Sequence, residues 1–90
     1  MSDALPQLWA AARHVAQARV AVLAHALDDP STARVAWEEA NKLVGSLDSF
    51  GRTGGSSLAR RASELLEDWP PDLQELRNVV ADLRRLVDRP

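Results

Sequence analysis

Few side chains in this sequence could do chemistry, and those that could are far apart. His14 and His25 are the obvious nucleophiles and metal ligands, but the chain has no cysteine and no HExxH spacing. The usual ligand patterns are therefore missing, and neither a metal nor a cofactor is expected. No nucleophile with its base, no paired carboxylates and no phosphate loop can be found, which argues against a stand-alone enzyme. The two histidines fall on one face of a helical stretch, opposite its apolar stripe, so both should be exposed. Neither has a glycine one turn later, and an exposed histidine on an alanine-rich helix is usually a surface residue. A phosphoacceptor role is not expected of either.

The stretch WEEANKLVGSLDSFG, residues 37 to 51, is more informative. It reads as a strong helix, yet it contains Gly45, where an exposed helix interior loses about 1 kcal/mol relative to alanine. At about 100° per residue, Ala33, Ala36, Trp37, Ala40, Leu43, Val44, Leu47 and Phe50 share one arc and should face a core. Asn41 lies just outside that arc. Around it on the solvent side cluster Arg34, Glu38, Gly45 and Asp48, with Lys42 and Ser49 further round. Gly45 is thus expected on an exposed patch, where it removes the wall beside Asn41 and lets another backbone or a phosphoryl group come close.

The elements that must position this patch are four amphipathic helices. Leu5, Leu8, Trp9, Ala12, Val15, Ala16, Val22, Leu23, Ala26 and Leu27 recur at helical spacing, with Pro6 tolerated in the first turn. Asp28-Asp29-Pro30 breaks this helix and begins the next, with Asp29 as N-cap and Pro30 at the first helical position. Gly51 to Gly55 reads as the loosest segment. Leu58, Ala62, Leu65, Leu66 and Trp69 form the stripe of a third helix, ended by Pro70-Pro71. Asp72 and Glu75 suit the first turn of a fourth, whose core seam is Leu73, Leu76, Val80, Leu83 and Val87, and Arg84, Arg85 and Arg89 suit its C-terminal end. The expected helices span about 4–27, 30–50, 55–68 and 71–88. With no strand pattern, they make an all-α, antiparallel up-and-down four-helix bundle in a single domain, 1–90.

Composition narrows the function classes. A net charge of −2 with mixed acids and arginines offers no basic stripe for nucleic acid. No apolar run is long enough to span a bilayer, and the N-terminus lacks the basic start and apolar core of a signal peptide, so a soluble cytoplasmic protein is expected. Arg19 falls on the apolar side of the first helix, where its stem can pack while its head reaches an acid. Arg60 and Arg61 are expected to pair with Glu64 and other surface acids, although one could border the patch around Asn41.

Residues 40 to 51, ANKLVGSLDSFG, followed by LARRASELLE at 58 to 67, resemble the core of a histidine-containing phosphotransfer (HPt) domain. One branch of that family reads AHKLAGSLGTFG. The resemblance covers the motif and the third helix, and the four-helix plan agrees with it. It implies a two-component phosphorelay module whose partner is a response-regulator receiver domain or a histidine kinase. One departure matters more than the matches: the family's phosphoacceptor histidine corresponds here to Asn41. An amide nitrogen is delocalised into its carbonyl and is a poor nucleophile, so Asn41 should not accept a phosphoryl group. The basic residue often found three positions later is also absent, its place being Val44, although Lys42 remains nearby.

The expected docking patch therefore comprises Asn41, Lys42, Gly45, Ser46, Arg34, Glu38 and Asp48, with no catalytic residue. Gly45 and Ser46 would give clearance, while Lys42 and Arg34 would meet acids near a receiver's active site. Two origins of the asparagine stay open: a natural pseudo-HPt domain that binds without relaying phosphate, or a working phosphotransfer protein whose histidine has been substituted. A structural or assembly bundle is the third reading, which exposed apolar area away from Asn41 would favour. A monomer is favoured.

Overall fold

The computed structural model describes residues 4–68 and 70–89, without the side chains of 4–6 and 53. Four helices follow one another: α1 (Ala4–Asp28), α2 (Ala33–Ser49), α3 (Thr53–Glu67) and α4 (Leu73–Asp88). α1 and α3 each pack against both α2 and α4, which closes a four-helix bundle. No strand occurs among the described residues, and no helix among them is long and apolar enough to cross a membrane.

The links are short because each carries its own stop and start chemistry. Asp29 caps as the sequence leads one to expect, its carboxylate accepting from the Ser31 N–H at 3.1 Å. It opens a single 3-10 turn, Pro30–Thr32, and α2 begins only at Ala33. At the other end of α2, Gly51 adopts φ 73°. The Gly51 N–H donates to the Asp48 carbonyl and the Arg52 N–H to that of Leu47 at 2.8 Å, a Schellman closure that needs a left-handed residue at Gly51. Asp72 is the N-cap of α4, accepting from the Glu75 N–H, so that helix starts two residues later than the pattern suggests.

Three expectations are corrected by the packing. Thr53, Gly54 and Gly55 are not a loose segment but the first turn of α3. A Cβ on buried Gly55 would come within 2.8 Å of Leu86 Cδ2 and 2.9 Å of Leu47 Cδ1, so glycine there lets α3 seat closely against α2 and α4. Leu8 and Val15 do not belong to the core: they are 56% and 51% exposed. α1 instead buries Trp9, Ala16, Val20 and Leu23. It is apolar on nearly every side, so spacing alone could not choose which side turns inward. Leu73, 41% exposed, sits at the end of the bundle rather than in its seam, while Val79 is buried with Leu76, Val80, Leu83 and Val87. The stripe positions Leu5 and Trp69 lie outside the described side chains.

Cross-ties fix the register of the helices. The Trp9 indole N–H donates to the Arg89 carbonyl at 3.3 Å, and the Gln17 amide donates to Asp88 at 3.0 Å, joining α1 to α4. Phe50 meets the Trp9 ring edge-on, with the Arg52 guanidinium 4.1 Å from that ring's centre. Arg61 pairs across to Glu75 of α4, with one bond at 2.8 Å, and not with Glu64 on its own helix. Arg19 finds the acid expected of it in Glu39, 3.2 Å away.

Candidate docking site on helices 2 and 3

α2 buries Ala36, Ala40, Leu43 and Leu47. That orientation leaves Asn41 exposed beside α3, with Arg34, Glu38, Gly45 and Asp48 exposed along the same side. These five residues are brought together as expected. Gly45 is open in fact: a Cβ built there meets nothing within 4 Å. Its carbonyl also accepts from the Ser49 hydroxyl at 2.9 Å, the usual back-bond of a serine one turn on.

Lys42 and Ser46 are not on this face. They lie roughly 100° and 140° round the helix from Asn41, toward α1. Lys42 donates to Glu39 at 3.3 Å, the same carboxylate that holds Arg19. Ser46 is half-buried, and lines a small recess with Trp9, Ala16 and Arg19. The cation on the Asn41 side of α2 is Arg34, 3.6 Å from Glu38. Arg60 of α3 is exposed and makes no ion pair among the described residues. It lies between Ser56 and Ser63 along the edge that meets α2, so of the two arginines it is the one that borders the patch.

The support beneath Asn41 comes from residues to which sequence reasoning gave no role. The Ser63 hydroxyl, on a buried residue of α3, donates to Asn41 Oδ1 at 2.8 Å. This engages the amide oxygen and leaves the NH2 group of this exposed residue able to donate. Buried Ser56 donates to the Val44 carbonyl at 3.0 Å, and the Trp37 indole N–H donates to Glu67 at 3.2 Å. Three polar ties thus run along the α2–α3 seam, with Asn41 at the middle one. The signal was present in the spacing: Ser56 and Ser63 recur seven residues apart within an apolar stripe of α3, where an unpartnered hydroxyl would be unfavourable. Next to Trp37 the seam widens into an open depression of about 350 Å³ bounded by Ala33, Arg34, Leu66 and Glu67.

His14 and His25 are both exposed on the outer side of α1, away from this face, and His25 Nε2 stands 3.8 Å from Asp29. Among the described residues no cluster of side chains could hold a metal ion.

The fold and this face define an all-α four-helix bundle with a mixed-charge polar patch along one interhelical seam. No protein-family model, no curated protein and no solved structure matches the chain.

Proposed function

We propose that the chain is a phosphorelay signalling module of the HPt type that docks a response-regulator receiver domain, or a histidine kinase, on its α2–α3 face without carrying phosphate itself. One observation carries this reading: Gly45 lies in the middle of α2 beside Asn41, with open space where its side chain would be. No neighbour in the fold requires a glycine there, and it costs the helix about 1 kcal/mol. A bound partner that approaches the backbone would require it. In the docked state the amide donor of Asn41 meets an acidic oxygen of the partner, and Arg34 and Arg60 flank it with positive charge. Such a module acts in the cytoplasm as an adaptor or competitor, and Asn41 blocks the relay because its amide is not nucleophilic.

The test is binding of receiver domains from the source organism to the native chain and to Gly45→Arg. The expected outcome is loss of binding with the fold unchanged, since the added side chain enters open solvent. Equal affinity in both would show that the docking face lies elsewhere. A second reading, an assembly bundle, is favoured by a different observation: the exposure of Leu8 and Val15 on α1.

A further inference from the structure

The other three helices turn charged residues to solvent along their length, but α1 does so only at its last residue, Asp28. Between Gln7 and His25 its outward side carries alanines, valines, a leucine and two histidines, with no Asp, Glu, Lys or Arg among them. The helix's two arginines are turned aside: Arg19 is engaged by Glu39, and Arg13 is half-buried with its Nε enclosed. In a chain that is 27% charged, a side of this length without charge is unusual.

The side has a pattern. Leu8, Ala11, Val15, Ala18, Val22 and His25 recur at steps of three and four, and large residues alternate with small ones. Two copies of α1 placed antiparallel, with the two-fold axis between Val15 and Ala18, set Val15 against Ala18 of the other copy and Val22 against its Ala11. Leu8 then meets His25 of the other copy. At that end a depression of about 330 Å³ lies between α1 and α2, lined by Ala21, Val22, His25, Thr32 and Val35. The knob, Leu8 at 56% exposure, and the hole that receives it are therefore at opposite ends of one face. A two-fold brings each onto the other twice.

Parallel pairing would set large on large and small on small, and would align the two helix dipoles side by side with like ends together. A charged partner would leave its own charges desolvated against a surface that has no counter-charge. The strip is about 26 Å long and about 10 Å wide, so two copies bury about 500 Å² before the two depressions are filled. That is below the roughly 1,200 Å² of a stable interface, so the association is weak and concentration-dependent.

We propose that the outer face of α1 is a self-association surface, pairing two copies antiparallel with Leu8 of each seated between α1 and α2 of the other. This departs from the monomer that the sequence favours, and it does not depend on the receiver-docking reading. The Asn41 face lies about 120° round α2 from Val35 and stays open in the pair.

Sedimentation equilibrium of the intact chain from micromolar to millimolar concentration tests it. The expected mass rises toward twice that of the chain, and both Leu8→Glu and Ala18→Glu weaken association at least about tenfold by placing an unpaired charge in the contact. Both positions are exposed, so the thermal melts of these variants should match the native chain. Because the chain has no cysteine, oxidation can report orientation. An equimolar mixture of Leu8→Cys and His25→Cys chains should cross-link to each other in preference to like chains. A constant monomer mass, growth beyond two copies, a dimer indifferent to both glutamates, or preferential cross-linking of Leu8→Cys chains to themselves would each overturn the proposal.

Discussion

Two glycines, ten residues apart, sit in opposite surroundings. Gly55 is buried where α3 meets Leu47 and Leu86, and a methyl group there would press on both side chains. Gly45 faces solvent, where the same methyl group would touch nothing. The first is explained by the packing of one chain against itself. The second is unexplained within the chain, and it stands one turn from Asn41. A glycine's surroundings, more than its presence, therefore tell whether the packing of the chain accounts for it.

Gly55→Val should have the largest effect, destabilising the bundle by about 1–3 kcal/mol through overpacking against Leu47 and Leu86, measurable as a lower urea midpoint. Ser63→Ala should cost about 0.5–1.5 kcal/mol, the worth of one hydrogen bond whose remaining partner can still reach water. Its more telling effect should be on partner binding, since the Asn41 amide loses the contact that orients it. Gly45→Ala should go the other way and stabilise by about 1 kcal/mol. A loss of stability in that variant would mean that Gly45, like Gly55, serves the fold.

The smallest effect should come from pH. Glu75 is held below its ordinary value of 4.5 chiefly by the Arg61 hydrogen bond, and Asp29 below 3.8 chiefly by the Ser31 hydroxyl, then by the Ser31 N–H. In each case the folded value lies below the unfolded one. The stabilisation is thus complete above the unfolded value and disappears as pH falls through the folded one. Thermal melts should show a slight decline in acid, and Glu75→Gln should remove its own share of that decline. Both groups are exposed, so solvent screens the effect.

Much of this was legible in the residues. Asp29, Gly51, Pro70-Pro71 and Asp72 mark helix ends by local chemistry, which acts within a few residues and so can be read from a few residues. The inward side of α2 was legible for a similar reason: its apolar arc is narrow and Arg34, Glu38 and Asp48 exclude the alternative. α1 has no such contrast, which is why Leu8 and Val15 looked like core and are not. The first turn of α3 was hidden because Gly54 and Gly55 resemble a loop until Leu47 and Leu86 are brought against them. On the Asn41 face, the angular offsets of Lys42 and Ser46 were already legible, but that they turn toward α1 was not, and the Ser63 bond needed α3 in register, which no local pattern specifies.

The most direct measurement is phosphotransfer from labelled phospho-receivers of the source organism to the native chain and to Asn41→His, scored as acid-labile, base-stable label. Label is expected on the histidine variant alone, because in the proposed mode of docking the face is intact and position 41 decides whether phosphate is accepted. Label on the native chain, or none on either across the full set of receivers, would contradict that expectation.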